Sequence, residues 1–71
     1  MTELEEGLRQ QIEARLAELM VEHRDLDLAI HRLIEDPLHD QFALQRMKKR
    51  KLLLRDRIAF IEDQITPDII A

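Results

Sequence analysis

The chain contains no cysteine, serine, tryptophan or tyrosine, and only one glycine and two prolines in 71 residues. Each shortage excludes something. Without Cys there is no disulfide and no Cys-based zinc site, a composition that suits a reducing compartment such as the cytoplasm. Without Ser or Cys the usual acyl-transfer nucleophiles are missing. A single Gly leaves no Gly-rich phosphate loop. With aromatics at 3%, sheets and barrels are disfavoured, because both draw on aromatics and glycine. No apolar run approaches the ~18 residues that span a bilayer. The opening MTELEEGLRQ is acidic and polar, unlike a secretory signal.

What remains is helix-compatible: Leu, Glu, Arg, Lys, Ala, Gln and Ile dominate. Charged residues make up 37% and the net charge is −4. Residues 1–36 carry ten acids and four bases, residues 37–71 five acids and seven bases. An acidic half and a basic half invite each other. The length supports one domain, expected over 1–71, and a core of this size leans on a staple or a partner.

Two breaks divide the chain. At Asp36-Pro37-Leu38-His39-Asp40, Pro37 cannot continue a helix and Asp40 can cap a new one. At Thr66-Pro67-Asp68 the second helical pattern stops. The spacing therefore predicts a helix over about 3–35, a turn at 36–40, a helix over about 41–65 and a tail at 66–71. In the first segment Ile12, Leu16, Leu19, His23, Leu26, Ile30 and Leu33 recur in steps of four and three. In the second, Leu44, Met47, Lys51, Leu54, Ile58, Ile61 and Ile65 do the same. This is the heptad seam of a coiled coil. Folding the chain back at the turn matches the rows in seven layers, from Leu33 with Leu44 to Ile12 with Ile65, through Leu26 with Lys51 and His23 with Leu54. The fold class is all-α, a two-helix antiparallel coiled-coil hairpin. On its edges Asp27 is expected near Lys48, and Glu22 near Arg57. Beyond the last layer, Leu8 would meet Ile69 if the tail folded back.

The seam leaves apolar residues over. Ala14, Val21 and Leu28 form an outer row on the first helix, widened by Met20 and Ile34; Leu53 and Phe60, adjoined by Leu52 and Ala59, form one on the second. Their spacing predicts a homo-oligomer in which hairpins join into a helical bundle. Val21, Leu28, Leu53 and Phe60 are the candidate interaction residues, towards a second copy or an unknown protein partner.

Three polar features need a reading. Lys51 occupies a seam position, where a polar residue can fix register at a cost in stability, its ammonium reaching out towards Asp27 or Glu22. His23 is a seam histidine whose protonation would loosen the hairpin. With Asp27 these are the register-setting candidates. His23, His31 and His39 lack the spacing of a metal site, so no metal, cofactor or catalytic group is expected. Residues 46–57 hold seven bases and one acid. Arg46, Lys48, Lys49 and Arg50 could contact a polyanion through counterion release. However, the bases spread around the helix and no aromatic interleaves them for stacking. A nucleic-acid-associated protein is therefore the alternative to an interaction module.

Two blocks resemble a known family. Glu22-His23-x-x-Leu26-Asp27-x-x-Ile30 is similar to the E-H-x-x-L-D-x-x-I signature of the YdcH-like small bacterial proteins. Met47-Lys48-Lys49-Arg50-Lys51-Leu52-x-Leu54-Arg55-Asp56-x-Ile58 resembles that family's second block, L-K-K-x-K-L-x-L-K-D-x-I, departing at Met47 and Arg55. The closing Thr66-Pro67-Asp68-Ile69-Ile70-Ala71 looks like members from alphaproteobacteria. The resemblance implies a helical hairpin in the bacterial cytosol and implies no activity, because the family is a domain of unknown function.

Overall fold

The computed structural model describes residues 3–65. The tail at 66–71, and with it the Leu8–Ile69 contact, lies outside the described residues. Helix α1 runs over Glu3–Glu35 and helix α2 over Gln41–Ile65. At ~1.5 Å per residue they are roughly 50 and 38 Å long. They pack on each other as an all-α antiparallel hairpin.

The reversal is made by two aspartates. Asp36 Oδ1 accepts the Leu38 N–H at 2.9 Å, an Asx turn around Pro37. The Asp36 carbonyl accepts the His39 N–H at 3.1 Å and the His39 Nδ1–H at 2.7 Å. Asp40 then caps α2: its Oδ1 accepts the N–H groups of Phe42 at 2.8 Å and Ala43 at 3.3 Å. These are two of the donors that a helix start leaves without an intrahelical partner.

All fourteen seam residues are buried or half-buried, while nearly every other described side chain is exposed. Leu19, Ile30, Leu44 and Leu54 are the most buried, at 1%, 5%, 8% and 0% exposure. The heptad period thus decides which face is covered. One layer of two helices cannot cover more. The molecule exposes 6164 Å², where a compact monomer of 8.5 kDa exposes roughly 4,700 Å². Its extents of 56 × 28 × 15 Å are those of a rod with two free flanks.

Candidate interaction surface

The polar contacts between the helices fall on opposite sides of the seam rows. Lys51, a half-buried seam residue, places its Nζ on Asp27 Oδ1. Asp27 stands one position after Leu26. Arg50, one position before Lys51, donates to Glu22 Oε2 at 2.7 Å. The Lys51–Asp27 contact is one of the two that the seam position of Lys51 suggested, while the expected edge pairs Asp27–Lys48 and Glu22–Arg57 do not form. Asp27 pairs with Lys51 rather than Lys48, because a partly covered ammonium takes the nearest carboxylate. Glu22 pairs with Arg50 rather than Arg57. The two arginines stand one heptad apart on the same edge, and the long guanidinium arm bridges the difference.

Around Asp27 the polar groups concentrate. Lys51 holds the Asp27 carboxyl below its ordinary range, first through the hydrogen bond and also through its charge; partial desolvation opposes this, and the nearby His31 and His23 add to the lowering. His31 donates from Nδ1 to the Asp27 carbonyl at 2.8 Å, which keeps its ring beside that carboxylate. His23 lies half-buried in the seam. Asp27 and Lys51 therefore meet in the middle of the hairpin, and His23 stands one helical turn before Asp27.

The outer apolar residues stay uncovered. Val21 is 47% exposed, Leu28 52%, Leu53 43% and Phe60 65%. They do not share one concavity. Val21 lies in a shallow depression on α1 with Arg15, Ala17, Glu18, Glu22 and Asp25. Phe60 borders a groove between the helices with Arg15, Leu19, Asp56, Arg57 and Ile61. Leu52 borders another with Ile30, Lys48, Lys51 and Arg55. Two further exposed apolar side chains, Leu38 at 90% and Phe42 at 73%, were not anticipated as surface features. Phe42 stands seven before Lys49, on the outward row of α2, and this spacing was the available signal.

Residues 16–62 match the family described as Protein of unknown function (DUF465). The chain belongs to the DUF465 family. The YdcH-like proteins that it resembles belong there too. No curated protein and no solved structure matches the chain. The DUF465 match spans the seam from Leu16 to Ile61 and both polar contacts between the helices.

In this DUF465 hairpin the basic segment divides by pairing. Arg50 and Lys51 hold carboxylates of α1. Arg46, Lys48, Lys49, Arg55 and Arg57 have no carboxylate within 4 Å among the described residues. On α1, Glu18 and Asp25 are likewise without a base. Among the described residues no three His, Asp or Glu side chains gather as a metal site. Neither described helix is long and apolar enough to cross a membrane.

Proposed function

We propose that the chain is a non-enzymatic, cytoplasmic interaction module, a helical hairpin that associates with itself. One observation carries this reading. With the seam complete, Met20, Val21, Leu28, Ile34, Leu53 and Phe60 are still 43–65% exposed. Single exposed apolar residues are ordinary; heptad-spaced rows on a two-helix layer are the material of a larger bundle. The depressions on the molecule are open and shallow, which suits side-chain docking better than substrate enclosure. Within the hairpin, Lys51, Asp27 and His23 set register.

Light scattering over a concentration series tests the reading. The mass should rise to a multiple of the 8.5 kDa chain, and the double change Leu53→Glu, Phe60→Glu should return it to a monomer. A wild-type chain that is strictly monomeric at every concentration would overturn it.

The five bases of α2 that have no carboxylate partner among the described residues support a second reading, contact with a polyanion such as a nucleic acid. Fluorescence anisotropy with duplex and single-stranded probes across a salt series decides it. Binding should weaken steeply with salt and with Arg46→Glu, Lys48→Glu and Lys49→Glu. No binding even at low salt removes this reading.

A further inference from the structure

The depression around Val21 is an open one on the outer face of α1. Glu18, Val21, Glu22 and Asp25 stand at i, i+3, i+4 and i+7 on α1 and line it together. Four residues at that spacing form the hole that receives a knob in coiled-coil packing. In this hole three of the four corners are acidic, while Arg15 and Ala17 complete the lining of the depression at its N-terminal side. The hairpin's own α2 does not fill it.

A matching knob lies on the same chain. Leu53 is 43% exposed, and its helical neighbours three and four positions away are Lys49, Arg50, Asp56 and Arg57. Three of these four are basic. An apolar knob in a basic collar thus has the opposite charge to a hole with an acidic rim. Among the described residues of one hairpin Glu18 and Asp25 have no basic partner, and Lys49 and Arg57 have no acidic one.

We propose that a second copy of this chain inserts its Leu53 into the Glu18–Val21–Glu22–Asp25 hole of the first, reciprocally, with both turns at the same end of the dimer. This rests on the self-association reading and adds its geometry. The orientation follows from level. Glu22 touches Arg50 and Asp27 touches Lys51 in the hairpin, so the hole lies alongside the middle of α2, where Leu53 sits. A two-fold axis parallel to the helices keeps that level and lays α1 of each copy on α2 of the other. A two-fold axis across the helices lays acidic α1 on acidic α1 instead. The parallel axis also lets Lys49 and Arg57 meet Asp25 and Glu18 across the interface.

The 71-residue chain has no Cys, so Leu38→Cys carries a single spin label on the exposed turn. Pulsed-dipolar spectroscopy on the dimer should read a label separation within about 30 Å, because packed helices lie only roughly 8–10 Å apart. Asp25→Lys and Lys49→Asp should each weaken dimerisation about tenfold, and the double swap should restore it. Circular dichroism confirms that each variant stays helical. A separation approaching the 56 Å length of the hairpin, or a double swap no better than the single changes, overturns this arrangement while leaving self-association standing. A monomer at all concentrations overturns both.

Discussion

Leu53 and Leu54 are neighbours in sequence and opposites in environment, at 43% and 0% exposure. Truncating each to Ala is a direct test of the seam. Leu54→Ala removes three carbons at about 0.8 kcal/mol each, or about 2.4 kcal/mol. The cavity adds to this, but a seam open on both flanks can close over it, so the loss stays near the lower end of the roughly 2–5 kcal/mol range. A chain of this length has a total stability of about 4–11 kcal/mol. The midpoint of thermal unfolding, followed by circular dichroism at 222 nm, should fall by roughly 10–20 °C. Leu53→Ala loses only the covered part of its side chain, at most about 1.4 kcal/mol, in dilute protein. Concentration then separates them further. If the outer face associates, the deficit of Leu53→Ala grows with protein concentration, while that of Leu54→Ala exists already in the single hairpin. Equal melting of the two variants would refute the assignment of Leu54 to the seam and Leu53 to the outside.

Other consequences are simpler to measure. The Asp27 carboxyl is held below its ordinary value of 3.8, so its contribution is complete above that value and is lost as pH falls through the lowered folded value; an acid titration of thermal stability should show this step, and Lys51→Leu should shrink it. The same Lys51→Leu change should raise the melting temperature at neutral pH, since an apolar seam residue replaces a half-buried pair; unchanged melting would mean that the Lys51 stem packs as well as Leu. Asp40→Ala should cost about 1 kcal/mol by uncapping α2, and urea titration should show no loss if water serves the freed donors equally well. A Cβ on Gly7 meets nothing within 4 Å, so Gly7→Ala should raise helicity and stabilise by about 0.5–1 kcal/mol; loss of helicity by circular dichroism would contradict it.

The helical segments and their covered face were legible because burial follows the backbone period. Ile12, Leu19 and Leu54 declare themselves by spacing alone, and even the polar members His23 and Lys51 are covered to an intermediate degree because the helix turns them inward. The ionic partners were legible only in part: the seam position of Lys51 pointed to Asp27 or Glu22, and Lys51 holds Asp27, but the edge pairs fall elsewhere than expected. Glu22 and Arg50 have long side chains, so position on a helix narrows their partners only to an edge. Asp27 had two bases in reach, and what decided between them was the partial burial of Lys51. The outer rows were visible as rows, but heptad spacing does not reveal that Val21 sits in an acidic hole while Phe60 borders a separate groove. Exposure of Leu38 and Phe42 has a different origin: Leu38 lies in the reversal, outside either heptad row, and Phe42 stands on the outward row of α2.

The two-aspartate turn also sets the order in which the molecule opens. Its hydrogen bonds join residues no more than four apart, whereas Ile12 and Ile65 are brought together only after every layer between has closed. Such a molecule behaves as a zipper with its slider at residues 36–40. Layers near Leu33 and Leu44 close first, at small loop-closure cost, and those near Ile12 and Ile65 close last and fray first. Amide exchange should therefore be slowest near the turn and fastest at the open end, and a protease should trim the hairpin from that end inward. Whatever grips the two open ends would act on the whole molecule, because holding them together removes the route by which it comes apart.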